Sequence, residues 1–222
     1  MLRPILVLFF GLFAFNATAA EISLEPDRWH LMSLASNAIS EDLPPLFDAL
    51  TAEDVDSPFL WAYDGSLYVD LLTASATDLE HLTAGMAFWY KHSSDSPVVL
   101  ESMAFPFNDT SVTCAPDVEC IRSELRSVGW HMIGNPFDAP LVARDSIMFN
   151  HAELCPQGCP ITEAIDKGLI TGDLWAWSGS EYINRLNDVV VPWEGLWVET
   201  LLANVNWFWS NPYCPVVDTG TG

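Results

Sequence analysis

The chain has 222 residues and a formal net charge of −22 at pH 7, a field that repels phosphate backbones and anionic lipid heads and so sets aside nucleic acid and membrane surfaces as partners. Half of its residues are hydrophobic, so the acidity does not signal disorder. The length suffices for one good core or two small ones.

Residues 1–20 read as a signal peptide. Arg3 supplies a positive start, residues 5–15 an apolar run, and Ala17-Thr18-Ala19-Ala20 the small residues of a cleavage site. That run is too short to span a bilayer, no later segment is apolar for long enough, and no cysteine follows it to carry a lipid. The mature chain is expected to be exported: secreted, at the cell surface or periplasmic, with no membrane span.

A first repeat is expected over 21–103. Apolar runs at 22–24 and 29–34, separated by Pro26-Asp27, predict a hairpin. Ser40-Glu41-Asp42 then caps a helical pattern of Leu43, Leu46, Phe47 and Leu50. Strands at 59–63 and 67–71 flank the turn signal Asp64-Gly65. An aromatic strand at 86–91 and a last strand at 98–100 complete the unit. Residues 104–120, with Pro106, Asn108-Asp109 and Pro116, read as a connector.

The second repeat, over 121–213, takes the same order. An opening run covers 125–135, a helix 162–167 with Gly168 as its stop, and strands 174–177 and 181–186 flank Ser178-Gly179. Strands at 195–200 and 206–209 follow, and residues 214–222 are a tail. The interval from Trp130 to Trp175 is longer than that from Trp29 to Trp61, and the surplus holds Cys155 and Cys159, which are therefore expected on an inserted surface loop.

Three blocks carry the duplication. Trp29-His30-Leu31-Met32 returns as Trp130-His131-Met132-Ile133, Leu60-Trp61-Ala62-Tyr63 as Leu174-Trp175-Ala176-Trp177, and Ala87-Phe88-Trp89-Tyr90 as Gly195-Leu196-Trp197-Val198. The predicted fold is mainly β (α+β): two pseudo-symmetric β-hairpin–helix–β repeats forming one sandwich or barrel-like body.

Five cysteines in an exported chain predict disulfides Cys114–Cys120 and Cys155–Cys159, with Cys214 free or awaiting an external partner. A zinc site is the rival, but the pairs lack its usual spacing. Ten tryptophans divide into two groups. The six recurring ones (Trp29, Trp130, Trp61, Trp175, Trp89, Trp197) are expected in the core, where loss of Trp61 or Trp175 would cost about 3–5 kcal/mol. Trp193, Trp207 and Trp209 are the candidate exposed platform for a sugar.

His30 and His131 occupy equivalent positions and read as one inherited strand residue rather than a metal pair. Glu53-Asp54-Val55-Asp56 and Asp173 lack a complete calcium-loop signature, so no metal or cofactor is predicted. No catalytic motif is present, and with 30 carboxylates some pair falls at glycosidase separation by chance.

Gly129-Trp130-His131-Met132-Ile133-Gly134-Asn135-Pro136, the two Trp-x-aromatic blocks and Gly195-Leu196-Trp197-Val198 resemble tandem Trp-rich β modules of exported bacterial proteins. The resemblance implies a β-rich accessory unit and carries over no catalytic residue. The chain departs from that pattern by having His30 and His131 where Asn is common, and by lacking a Gly before Trp29. The expected function is an exported, non-catalytic structural or interaction module whose partner is a glycan or another extracellular protein. The alternative is a carbohydrate-binding module using Trp193, Trp207 and Trp209. A carboxylate-based glycoside hydrolase is the second alternative.

Overall fold

Strands that alternate rings with aliphatic side chains present two faces to be covered, and the chain covers them by stacking sheets. A computed structural model describes residues 21–33, 48–74, 85–101, 122–135, 137 and 140–209. The expected signal peptide, most of the helix from residue 40, the connector with Cys114 and Cys120, and the tail with Cys214 lie outside the described residues.

The first half holds β1 (Glu21–Leu24), β2 (His30–Ser33), β3 (Phe59–Tyr63), β4 (Tyr68–Asp70), β5 (Ala87–Lys91) and β6 (Val98–Glu101). The second holds β7 (Arg122–Leu125), β8 (Gly129–Gly134), β9 (Leu141–Val142), α1 (Ala143–Ser146), β10 (Ile147–His151), β11 (Cys155–Pro160) and α2 (Ile161–Asp166). It continues with β12 (Ile170–Trp177), β13 (Tyr182–Asn184), β14 (Val189–Val190), β15 (Gly195–Thr200) and β16 (Val205–Trp209). The fold is mainly β, and among the described residues all strand pairings are antiparallel.

The two halves run their main sheets in one order. The first is β2-β5-β3-β4 and the second β8-β15-β12-β13. Register agrees as well: Trp61 opposes Trp89 as Trp175 opposes Trp197, and Tyr63 opposes Tyr68 as Trp177 opposes Tyr182. The turns are built alike. Asp64 Oδ1 accepts from the Ser66 and Leu67 N–H groups at 2.8 Å, and Ser178 Oγ accepts from the Glu181 N–H at 3.1 Å. Gly65 and Gly179 follow at φ 98° and 96°, where other residues are strained.

The opening hairpins are not hairpins. β1 pairs with β6, and β7 with β16, whereas β2 and β8 join the main sheets. The Pro26-Asp27 turn is a corner that carries the chain from one sheet to the other. Asp27 sits at φ 56°, and its N–H donates to His92 O at 2.8 Å. A local turn signal says that the chain bends but does not choose the partner strand.

Each half is a two-layer unit with its own apolar cluster. In the first, Leu24 and Leu100 of β1 and β6 pack on Met32, Leu60, Ala62, Phe88 and Tyr90 of the main sheet. In the second, Leu125, Phe149, Val205, Trp207 and Trp209 pack on Ile133, Leu174, Ala176, Leu196 and Val198. The insertion is not a surface loop. It supplies β10 and β11, which extend the small sheet to β11-β10-β16-β7, and α2, the helix expected at 162–167, packs beside them. Cys155 and Cys159 are disulfide-bonded with Cα atoms 5.8 Å apart, and both are buried because β11 lies against this core.

The halves join through the opposite faces of the main sheets. Leu31, Ala87 and Met132 form a small central cluster, with Tyr63, Trp89, Trp177 and Trp197 packed around it. The joint is reciprocal. The Ser33 N–H donates to Trp193 O at 2.9 Å, and Gly134 N–H donates to Gly85 O at 2.6 Å, its match in the other half. Bridges Met32–Glu194 and Met86–Ile133 repeat the same relation. The backbones approach so closely that a Cβ on Gly134 would lie 2.6 Å from Ser33 Cβ, and one on Gly195 2.9 Å from Ala87 Cβ.

Candidate functional site

The side chains that face the joint are largely aromatic. In β3, Leu60 and Ala62 enter the core, so the two-residue period sends Phe59, Trp61 and Tyr63 to the other face. In β12, Leu174 and Ala176 are buried, and Trp175 and Trp177 take the face toward the joint. Near the centre the two faces touch, and toward the rim they part.

The rings form two matching chains. In one, Trp29 meets Trp89 at 6.1 Å between centroids, Trp89 meets Trp177 at 5.9 Å, and Trp177 meets Tyr182 at 5.0 Å. In the other, Trp130 meets Trp197 at 6.5 Å, Trp197 meets Tyr63 at 5.5 Å, and Tyr63 meets Tyr68 at 5.2 Å. Both chains cross from one half to the other. The first contact of each is nearly perpendicular, at 82° and 83°, the edge-to-face arrangement that the ring quadrupoles favour.

Where the faces part, an open groove of about 610 Å³ is lined by Tyr63, Tyr68, Trp130, Trp175, Tyr182 and Trp197. That volume falls in the range of small-molecule sites. Burial raises the Tyr182 phenol above its ordinary pKa, and neighbouring Tyr68 adds to the rise. At neutral pH the hydroxyl therefore keeps its proton. Trp177 Nε1, beside the groove, is buried with no hydrogen-bond partner.

The corners that carry Trp29 and Trp130 are pinned from within each half. His30 Nε2 contacts Glu25 O at 3.0 Å, and His131 Nε2 contacts Ser127 O at 2.8 Å. Thr200 Oγ1 also donates to Ser127 O, at 2.8 Å, and His92 Nε2 contacts Leu24 O at 2.9 Å in the first half. Burial lowers the pKa of both His30 and His131, so each ring is held neutral and acts as a brace. Each histidine thus serves its own corner, and the two are not paired with each other by any of these bonds.

The assignment of tryptophans to core and platform is inverted. Trp193, Trp207 and Trp209 are 1%, 0% and 1% exposed and cannot form a surface platform. Trp207 and Trp209 share the inward phase of β16 with Val205, and Trp209 Nε1 donates to Gly134 O at 2.8 Å. Trp193 sits in the core of the first half, although the second half supplies it. Its turn is held by Arg185, whose Nε and Nη2 donate to Glu194 Oε1 at 3.0 and 2.9 Å, and by the Val191 N–H on Glu194 Oε2 at 3.1 Å. Conversely, Trp29, Trp61 and Trp130 are 37%, 39% and 39% exposed, and Trp89, Trp175, Trp177 and Trp197 are part-buried.

The sequence did carry a signal for this. Lys91 and Glu199 share a strand phase with Trp89 and Trp197, and Asp173 shares one with Trp175. A phase that includes a charge is the open one. Comparison with protein-family models, curated proteins and solved structures returns no match.

Proposed function

We propose that the chain is an exported, non-catalytic binding module that holds a saccharide in the aromatic groove. The observation that carries this reading is the convergence of six Trp and Tyr rings from both halves on one open cavity. Indole and phenol faces stack on the apolar C–H faces of pyranose rings, and the hydroxyls of Tyr63, Tyr68 and Tyr182 offer hydrogen bonds at the same surface. The rings are braced by edge-to-face contacts and by the pinned corners, so little freedom is lost on binding. Export rests on the basic, apolar and small-residue leader of residues 1–20.

Titration with a panel of soluble oligosaccharides, followed by tryptophan fluorescence, tests this. Trp130→Ala and Trp175→Ala should each weaken binding about tenfold, roughly 1.4 kcal/mol, and leave the fold intact. Silence of the unaltered protein across neutral, acidic and amino oligosaccharides would remove the saccharide reading.

A further inference from the structure

The repeated halves provide an internal control for what the groove binds. Trp29 and Trp130 are equivalent, and each stands edge-to-face against its own sheet's central indole. In the first half the neighbours of Trp29 belong to the protein. The Phe59 ring lies 6.1 Å from it, and Lys91 Nζ lies 5.9 Å from its centroid, a cation held on the π face. Phe59 and Lys91 oppose each other in register.

In the second half both neighbours change, in the same direction. Alignment of Trp61 with Trp175 puts Asp173 at the sequence position of Phe59, within a stretch between Ile170 and Leu174 where the β12–β15 register shifts, so Asp173 is not paired with Glu199 as Phe59 is with Lys91. Alignment of Trp89 with Trp197 puts Glu199 where the first half has Lys91. Glu199 opposes Trp130 in the register, on the face that Trp197 shares. Asp173 precedes Trp175 on the same face and accepts from Asn184 Nδ2 at 2.6 Å. Among the described residues no cation is placed over Trp130 as Lys91 is over Trp29; Trp130 lines the open groove with Glu199 opposite it on the adjoining strand and Asp173 one strand further on. An indole face and carboxylates both attract an organic cation, and a protein of charge −22 concentrates such cations around it.

We infer that the ligand places an alkylammonium group over Trp130, the position that Lys91 fills over Trp29, and that the ligand is an amino sugar. The second part follows from size. The groove continues past Trp130 to Trp175, Trp197, Tyr63, Tyr68 and Tyr182, and its volume of about 610 Å³ is far more than an ammonium head group occupies. The rest of the ligand is a body with flat apolar faces that stacks on rings. This rests on the saccharide reading above and narrows it to amine-bearing sugars.

Four probes distinguish the possibilities by calorimetry at about pH 6.5: a β-1,4-glucosamine tetramer, its N-acetylated form, the neutral glucose tetramer, and tetramethylammonium. The glucosamine tetramer is expected to bind at least tenfold more tightly than either neutral tetramer, with a preference that shrinks as salt is raised. Glu199→Gln should reduce that preference severalfold. Glu199→Lys should abolish it, because it rebuilds the arrangement of the first half, and Asp173→Asn should act like Glu199→Gln. Thermal melts of each variant establish that it is folded.

Equal binding of all three tetramers, lost in Trp130→Ala, would overturn the ammonium inference and leave the saccharide site standing. Binding of tetramethylammonium alone, lost in Glu199→Lys, would keep the cation site and overturn the sugar. Silence of all four probes would overturn both.

Discussion

The two halves share a frame and differ in what fills it. Strand order, register at the central Trp pairs, turn glycines and the perpendicular Trp pairs match between them, while β12, unlike β3, shifts register against its central partner, β15, between Ile170 and Leu174. Among the equivalent positions that differ, three pairs bear on the joint and the groove: Gly85 and Trp193, Phe59 and Asp173, Lys91 and Glu199. In the first half the filling covers Trp29 with a ring and an ammonium. In the second the same frame is left with carboxylates and an open cavity. Positions that set backbone geometry tolerate little change, because a register slip would turn every side chain to the wrong face. On the face between the sheets the halves differ: Phe59 and Lys91 pack on Trp29, whereas Asp173 and Glu199 stand at the matching sequence positions beside the open aromatic groove.

The largest expected effect tests the division between buried and open indoles. Trp209→Ala should cost about 3–5 kcal/mol, since it empties a fully buried site and removes the donor on Gly134 O. Trp61→Ala, on a ring more than a third exposed, should cost about 1 kcal/mol. Urea unfolding of the two variants measures both. Equal losses would mean that the sheet faces have been assigned wrongly.

Trp193 and Gly85 sharpen the comparison at the joint. Both lie in the left-handed region, at φ 67° and 81°. Glycine adopts that conformation freely, whereas an L side chain there costs about 1 kcal/mol. Trp193 bears that strain, and the burial of its indole in the core of the other half offsets it. Trp193→Ala should destabilise by about 3 kcal/mol, and Trp193→Gly by about 1 kcal/mol less. This reverses the ordinary ranking of alanine over glycine. Chemical denaturation in which the glycine variant is the weaker one would contradict a strained turn.

Much of the frame was legible. The strands around Asp64-Gly65 and Ser178-Gly179, the strand Gly195–Thr200, the helix ended by Gly168 and the Cys155–Cys159 bond all follow from local chemistry that acts over a few residues. The site was half legible. Recurrence marked Trp130, Trp175 and Trp197 as important, but ring content alone does not separate a core phase from a groove phase; the charges Asp173 and Glu199 on the same phase do. In β16 the polar Asn206 marks the outward phase, and this places Trp207 and Trp209 inside. Sheet partners were legible only across the tight turns, where β3 pairs with β4 and β12 with β13. The corner at Pro26-Asp27 reads as a hairpin, and the choice of β6 over β2 as the partner of β1 is made by packing from far along the chain.

The equivalent histidines give the smallest effect and the one that the halves should share. Burial lowers the pKa of His30 and of His131 below the ordinary 6.5, while their backbone contacts with Glu25 and Ser127 oppose that shift in part. For His30, the nearby Arg28 guanidinium lowers it further and Glu25 raises it. A base whose folded pKa is depressed binds fewer protons folded than unfolded, so protons favour the unfolded chain. Stability from this source is complete above about pH 6.5, falls as the pH drops below that value, and levels off beneath the folded pKa values. Carboxylates titrate lower and leave the window from pH 7.5 to about 5.5 mainly to histidine. Over that window the unfolding midpoint should decline with acidification. His30→Gln or His131→Gln should each flatten the slope, and the double variant should flatten it most. If the midpoint holds constant across the window in the unaltered protein, the histidines are not the buried neutral braces that the two corners require.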